Sequence, residues 1–139
     1  MNESPIERLL AATDALDIDA LVALFAPDGR LLAADGRRAE GTEAVRELLA
    51  SILGALRSTS HEIKAQWQVD GAWIAEIEAD YELRDFHRVG AVPLALVVRT
   101  GPEGIVDVHI YGAQEHPPGE HDTGEEWGTM VRGHWIPPI

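Results

Sequence analysis

Apolar residues recur every three or four positions over the first part of the chain, a spacing typical of amphipathic helices. A capping box at Ser4-Pro5-Ile6-Glu7 predicts where the first helix begins. Asp17 opens a second helix, which the turn residues Pro27-Asp28-Gly29 end. We therefore expect helices at about 5–15, 17–25 and 42–57, a short strand at 30–34 and a loop at 37–41.

The spacing of apolar residues shortens to every second position after the third predicted helix, which is the period of a strand with one buried face. We expect strands at about 61–69, 73–85, 91–100 and 105–111. Asp70-Gly71, between the first two, is a strong hairpin signal. The strand at 91–100 is apolar on both faces, so we expect it to be central in the sheet.

Helices followed by strands, with no internal repeat and no linker, indicate a single α+β domain over residues 1–139. We expect a mainly antiparallel sheet with the helices packed on one face. The segment 114–139 is rich in Pro and Gly but also carries two tryptophans and several aliphatic side chains. We expect this C-terminal extension to pack on the domain or on a dimer partner, because these side chains would otherwise form an exposed apolar patch.

The charge balance restricts the partners. The chain has 24 acidic and 11 basic residues and a net charge of −13, which argues against nucleic acid and anionic membrane surfaces. No apolar run approaches the roughly 20 residues of a spanning helix, and no signal peptide is visible. There is no cysteine, which fits a reducing compartment. We expect a cytoplasmic protein whose partner is a small apolar molecule, with no nucleic-acid and no membrane contact.

His61 is the first candidate for chemistry because it shares the apolar side of its predicted strand with Ile63, Ala65 and Trp67. An imidazole in an apolar pocket can take up or release a proton near neutral pH with little adjustment. The alternative is a structural histidine that donates a hydrogen bond to a backbone carbonyl.

Tyr81 and Asp35 are the predicted helpers of His61. Tyr81 shares a strand face with Trp73, where its hydroxyl can polarise a carbonyl, or where it simply packs with its tip in water. Asp35 follows a predicted strand whose inward residues point the same way, so it can orient His61 or act as the base. The alternative is that its carboxylate bonds the backbone of its own turn.

Asp85 and His87 come at the end of the longest predicted strand. If the alternation persists, both stay on the Tyr81 face and form an Asp–His pair near the pocket. A bulge or the following turn would instead place both in water. Substrate contacts are predicted for a further set of side chains: Trp67, Trp73, His87 and Arg132.

Four residues of the C-terminal extension resemble a metal site in composition: His116, Glu120, His121 and Asp122. They lie beside a Pro-Pro-Gly segment and lack a recognised ligand spacing. The sequence also lacks a phosphate loop, a dinucleotide fingerprint and a serine-elbow motif. We therefore predict neither a metal nor an organic cofactor.

Asp107, His109 and Tyr111 alternate with aliphatic residues, so we expect this trio to face away from the pocket. Aromatic side chains on an outer sheet face suit a protein interface. We predict a homodimer whose contact lies near these three residues.

Four segments of the chain resemble the nuclear transport factor 2-like superfamily, and within it the SnoaL-like branch. They are DIDALVALFAPDG at 17–29, GTEAVREL at 41–48, SHEI at 60–63 and GIVDV at 104–108. The resemblance covers residues 5 to about 115 and implies a cystatin-like, cone-shaped fold. In such a fold a curved sheet wraps around a long helix, a pocket opens at one end, and the outer sheet face often forms a dimer interface.

The resemblance implies a fold more specifically than a reaction, because the superfamily includes isomerases, dehydratases, epoxide hydrolases, cyclases and non-catalytic binding proteins. The tyrosine and the two acids of the ketosteroid isomerases fall near Leu9, Ala33 and Ala95. That set is absent unless Asp35 substitutes for the general base.

The dehydratase-like members match at one position. Their histidine at the start of the first long strand corresponds to His61, whereas their first-helix tyrosine and aspartate fall near Leu10 and Ala11. The Arg-Asp-Asp set of the limonene-type epoxide hydrolases has no counterpart.

Two functions remain open from the sequence. One is a cofactor-free lyase, isomerase or cyclase acting by proton transfer on an apolar cyclic carbonyl compound, polyketide-like or steroid-like, with His61 moving the proton. Tyr81 would assist, together with Asp35 or Asp85. The other is a non-catalytic small-ligand-binding or dimerisation module in which His61 is structural.

Overall fold

A computed structural model describes residues 3–112, which form three helices and six strands. In chain order these are α1 (Pro5–Asp14), α2 (Ile18–Ala23), β1 (Phe25–Leu32), β2 (Arg38–Glu40), α3 (Thr42–Leu53), β3 (Leu56–Val69), β4 (Ala72–Leu83), β5 (Arg88–Gly101) and β6 (Gly104–Gly112). The predicted extension at 114–139 lies outside the described residues.

The predicted helix starts at Ser4 and Asp17 are confirmed. The Ser4 hydroxyl accepts from the Glu7 backbone N–H at 3.0 Å, and the Glu7 carboxylate accepts from the Ser4 N–H at 3.2 Å. Asp17 caps α2 by accepting from the Ala20 N–H at 3.0 Å. Both caps satisfy backbone donors that the first turn of a helix leaves unpaired.

The six strands form one sheet in the order β2-β1-β6-β5-β4-β3. Neighbours run antiparallel except β1 and β6, which are parallel, so the predicted α+β class with a mainly antiparallel sheet is confirmed. The predicted central strand is the interior strand β5. Asp70 and Gly71, with φ of 39° and 78°, form the predicted hairpin turn between β3 and β4.

The helices cover one face of the sheet, called the inner face here, and the core lies between them. On β4 this face carries Ala75, Ile77 and Ala79, all buried. None of the helices in residues 3–112 combines the length and apolarity needed to cross a membrane.

Two local predictions at the β1–β2 edge of the sheet are wrong. The predicted turn at 27–29 lies inside β1, where an irregular register between Phe25 and Arg30 accommodates Pro27. The predicted loop at 37–41 contains β2, which among residues 3–112 pairs only with β1. A three-residue edge strand carries too little hydrophobic pattern to distinguish it from a loop.

A bulge in β3 changes which residues face the core. Ile63 pairs with Ile77 but Ala65 pairs with Glu76, so Lys64 is an extra residue in the ladder. Beyond it Gln66 faces inward, where its amide oxygen accepts from the Ser4 hydroxyl at 2.6 Å. The prediction that Ala65 and Trp67 share a face with His61 is therefore wrong.

Candidate active site

A cavity of about 410 Å³ lies between the helices and the inner face of the sheet. Most of its wall is aliphatic and comes from α1, α2, α3 and five of the strands. Six polar side chains interrupt that wall: Thr13, Asp35, Arg37, Ser51, His61 and Tyr81. A volume of this size falls within the range of about 300–1,000 Å³ found for small-molecule sites.

His61 lies in the cavity wall with its side chain only 6% exposed. Its Nδ1 is 2.6 Å from Asp14 Oδ1, and its backbone N–H donates to Asp14 Oδ2 at 3.3 Å. Both oxygens of one carboxylate therefore hold the same residue, which fixes the orientation of the imidazole.

The fold brings these two residues together through α1 and β3. On β3, His61 pairs with the buried Ala79, which places the imidazole on the inner face. Asp14 is the last residue of α1 and continues the stripe of Ile6 and Leu10, which is buried against the sheet. A carboxylate at the next position of a buried helical stripe is a signal that identifies Asp14, and the sequence analysis missed it.

The hydrogen bond to Asp14 decides which ring nitrogen of the neutral imidazole carries the hydrogen. A carboxylate only accepts, so Nδ1 of the neutral imidazole carries the hydrogen. Nε2 then bears the lone pair, which makes it the nitrogen available to take a proton from a ligand.

Tyr81 lines the same cavity and contacts His61 edge-on, with ring centroids 6.1 Å apart and an interplanar angle of 79°. The structure thus brings together the histidine and the tyrosine that the sequence predicted. Its neighbour across the ladder, Thr59, is buried, and the Thr59 hydroxyl has no hydrogen-bond partner within residues 3–112.

Asp35 reaches the rim of the cavity but bonds Arg37 rather than His61. Its Oδ1 accepts from the Arg37 backbone N–H at 3.0 Å, and its Oδ2 accepts from Nε at 2.9 Å and lies 2.8 Å from Nη2. Hydrogen bonding to this guanidinium lowers the pKa of Asp35, against the opposing effect of partial burial. A carboxylate with a lowered pKa is a weaker base. Asp35 is bonded to Arg37 within its own turn, and the carboxylate that contacts His61 is that of Asp14.

Asp85 and His87 lie in the turn between β4 and β5, exposed and outside the cavity wall. Asp85 Oδ1 accepts from the His87 backbone N–H at 3.0 Å. The expectation of an Asp–His pair on the Tyr81 face does not hold, because β4 ends at Leu83 and the alternation ends with it.

Neither of the two tryptophans predicted to contact the substrate lies in the wall of this cavity. Trp67 is on the outer face beyond the bulge and 50% exposed. Trp73 is partly buried beside the start of α1, where it lines a separate cavity of about 340 Å³ with Pro5 and Arg8. Arg132 and the four residues considered for a metal at 116–122 lie outside the described residues. Within residues 3–112 no group of three or more His, Asp or Glu is arranged to hold a metal ion.

Arg37 and Ser51 were missed by the sequence analysis. The Arg37 Nη1 donates to the Ser51 hydroxyl at 2.9 Å, which ties the β1–β2 turn to α3 at the cavity rim. The only sequence signal was the spacing of Arg37 two residues after Asp35.

Asp107, His109 and Tyr111 face away from the cavity, as predicted. His109 bridges the other two, with Nε2 3.2 Å from Asp107 Oδ1 and Nδ1 2.9 Å from the Tyr111 hydroxyl. Their aliphatic neighbours Val108 and Ile110 point to the opposite side and line the cavity.

Comparison with known proteins identifies both the domain and the fold. Residues 6–112 match the family model described as a SnoaL-like domain. No curated protein matches the sequence significantly.

Three solved structures illustrate the likeness in fold. A hypothetical protein from Catenulispora acidiphila with a ketosteroid isomerase-like fold, in complex with trimethylamine, is 22% identical with a TM-score of 0.71, over 80% of this chain and 86% of that one. A candidate polyketide cyclase from Sinorhizobium meliloti is 17% identical with a TM-score of 0.64, over 78% and 94%. An LEH-like epoxide hydrolase from M. tuberculosis is 18% identical with a TM-score of 0.66, over 78% and 79%.

Proposed function

The chain belongs to the SnoaL-like domain family, and from the Asp14–His61 pair we propose that it is a cofactor-independent lyase, isomerase or cyclase. Its substrate is an apolar cyclic carbonyl compound on which His61 moves a proton. The observation that carries the proposal is the 2.6 Å contact between Asp14 and an imidazole in the wall of a largely aliphatic cavity.

His61 acts as the general base in the first step. Its Nε2 takes a proton from the carbon next to the substrate carbonyl, and the electron pair of the broken C–H bond moves onto the carbonyl oxygen as an enolate. The Tyr81 hydroxyl donates a hydrogen bond to that oxygen while its negative charge develops. His61 is then an imidazolium whose Nδ1–H still donates to Asp14.

The fate of the enolate distinguishes the three reaction types. Return of the proton from His61 to a different carbon is an isomerisation. Loss of a leaving group from the neighbouring carbon, protonated by His61, is a lyase reaction. Attack of the enolate carbon on a second carbonyl of the same molecule, with His61 protonating the new alkoxide, closes a ring.

Asp14 is a positioning residue in this scheme, because it contacts His61 and does not line the cavity. Its carboxylate selects the tautomer and stabilises the imidazolium. The aliphatic wall strengthens both effects, since charges interact more strongly where water is excluded.

Exchange of carbon-bound hydrogen tests the first step without knowledge of the natural substrate. β-Tetralone and a set of other cyclic ketones are incubated with the protein in D₂O, and loss of the α-proton signal is followed by NMR. We expect exchange faster than in buffer, and a loss of roughly a hundredfold or more in His61→Gln.

His87→Gln is the matched control, because His87 is an exposed histidine outside the cavity. It should exchange like the wild type. If no ketone exchanges faster with the protein than in buffer, or if His61→Gln is as fast as the wild type, the proposed reaction is wrong.

A non-catalytic ligand-binding module is the second candidate. It is supported by the mostly aliphatic wall of the cavity and by the trimethylamine complex of the Catenulispora acidiphila neighbour. Under this alternative, cyclic ketones raise the melting temperature of the protein without any exchange of their α-protons.

We also propose that the chain forms a homodimer through the outer face of the sheet. A row of mostly apolar side chains runs across the strands on the outer face and supports this interface. In strand order its members are Leu32, His109, Val97, Ile74 and Trp67. Such a row is typical of a surface that a partner covers.

A further inference from the structure

Arg37 and Ser51 form a second polar site at the rim of the same cavity, across the sheet from His61. The turn that carries Arg37 joins β2 and β1 at one edge of the sheet, whereas His61 lies on β3 at the other edge. Between Arg37 and the His61–Tyr81 pair, the inner face contributes aliphatic side chains to the cavity wall, with Ile110 of β6 and Leu94 of β5. A ligand that fills the cavity therefore has two separated polar groups to meet.

The guanidinium of Arg37 is held in place and still has donors to offer. Nε and Nη2 contact Asp35 Oδ2, and Nη1 donates to the Ser51 hydroxyl. An arginine side chain has five N–H groups, and three are engaged here. The other two have no hydrogen-bond partner among residues 3–112, and the Ser51 hydroxyl, which accepts from Arg37, retains its own hydrogen as a donor.

The charge at this site indicates which oxygen it suits. The Asp35 carboxylate lies against Arg37, so the pair as a whole carries no net charge. Hydrogen bonding to Arg37 lowers the pKa of Asp35, which keeps the carboxylate ionised at neutral pH. The chain as a whole carries a charge of −13, which repels anions. Donors without excess positive charge suit a carbonyl or hydroxyl oxygen better than a carboxylate or phosphate.

We propose that Arg37 and Ser51 bind an uncharged oxygen at the end of the substrate remote from the carbonyl that reacts at His61. The substrate is then a cyclic compound that is oxygenated at both ends and apolar between them. The identification of the reacting end rests on the proposed function, whereas the affinity for the remote oxygen does not.

The test compares the affinities of two matched ketones in the His61→Gln background, so that no turnover intervenes. One is β-tetralone and the other is its analogue with a hydroxyl group on the far ring. We expect the hydroxylated ketone to bind about fivefold more tightly by calorimetry, as one additional hydrogen bond allows. Adding Ser51→Ala or Arg37→Gln should remove that preference, so that the two ketones bind with equal affinity.

Arg38→Gln is the control, since Arg38 is a neighbouring exposed arginine that does not line the cavity. Equal affinities of the two ketones for the His61→Gln protein would overturn the proposal, and so would failure of both to bind. A preference that survives Ser51→Ala and Arg37→Gln would overturn it as well. If an analogue with a carboxylate on the far ring binds more tightly than the hydroxylated ketone, the proposal that the site takes an uncharged oxygen is wrong. Because affinity is measured without exchange, loss of the proposed reaction and loss of this preference are separate results.

Discussion

Asp14 and His61 are 47 residues apart in the chain and 2.6 Å apart in the structure. The contact joins the end of α1 to β3, and it gives a largely aliphatic cavity an oriented base. The first-helix aspartate that the dehydratase resemblance placed near Ala11 is absent there, but Asp14 supplies a carboxylate from the same helix, three residues later.

The first prediction concerns Asp14→Asn. An amide can donate to Nδ1, so the variant favours the tautomer with hydrogen on Nε2, which is the wrong nitrogen for a base. We expect the ketone exchange rate to fall by about 10²–10⁴-fold while ketone affinity stays close to that of the wild type. Nitrogen NMR of the imidazole reports the tautomer directly.

Asp19→Asn is the control for that experiment, because Asp19 is an exposed acid on α2 that pairs with Arg46. It should leave exchange unchanged. Full activity of Asp14→Asn, or an unaltered tautomer, would show that Asp14 does not position His61.

The second prediction follows from the lowered pKa of Asp35 and concerns folding stability. A carboxylate whose pKa is lower in the folded state stabilises the fold above its unfolded value, near 3.8, and that contribution is lost as the pH falls through the folded value. The free energy of unfolding of Asp35→Asn should therefore fall below that of the wild type at pH 7, and the gap should narrow in acid. The gap at pH 7 should be small, because the Asp35 side chain is 48% exposed and solvent screens the ion pair.

Urea titrations of both proteins at several pH values measure this difference. A difference that stays constant from neutral to strongly acidic pH would mean that ionisation of Asp35 does not contribute to it.

Local signals in the sequence identified much of the fold because they act over a few residues. The Ser4 capping box and the Asp70-Gly71 turn each depend on residues only a few positions apart, so the local sequence is enough to identify them. The change in the spacing of apolar residues likewise indicates which face of each helix or strand is buried, without information on the element that packs against it.

The candidate site was harder to predict because it depends on register and on distant contacts. The extra residue Lys64 shifts the alternation of inward and outward side chains in the rest of β3. Trp67 therefore lies on the opposite face of the strand from His61. Nothing in the local pattern marks that extra residue. The buried stripe of α1 marks Asp14 as an acid that faces the sheet, but its contact with His61 depends on the packing of α1 on β3, which is a tertiary relationship.

The third prediction concerns the outer face of the sheet. We expect the protein to be a dimer in light scattering at micromolar concentration and Val97→Arg to be monomeric, because the substitution puts a charge in the middle of the apolar row. Phe86→Ser is the control, since Phe86 is an exposed apolar residue in the β4–β5 turn. A monomeric wild type, or a Val97→Arg variant that remains dimeric, would contradict this interface.

The fourth prediction concerns the extension at 114–139. Its tryptophans and aliphatic residues lead us to expect that truncation after Gln114 lowers the melting temperature or the solubility of the protein. An unchanged melting curve and unchanged solubility would show that the extension contributes nothing to the domain.

The last prediction concerns Thr59, whose hydroxyl is buried without a partner in residues 3–112. A buried hydroxyl that forms no hydrogen bond costs about 1–3 kcal/mol of stability. Thr59→Val replaces that hydroxyl with a methyl group of similar shape, and valine is favoured in strands. We expect its free energy of unfolding to equal or exceed that of the wild type, whereas Thr59→Ala, which also removes the buried methyl group, should be less stable than Thr59→Val. A loss of more than about 1 kcal/mol in Thr59→Val, measured by urea denaturation, would mean that the hydroxyl is hydrogen-bonded in solution.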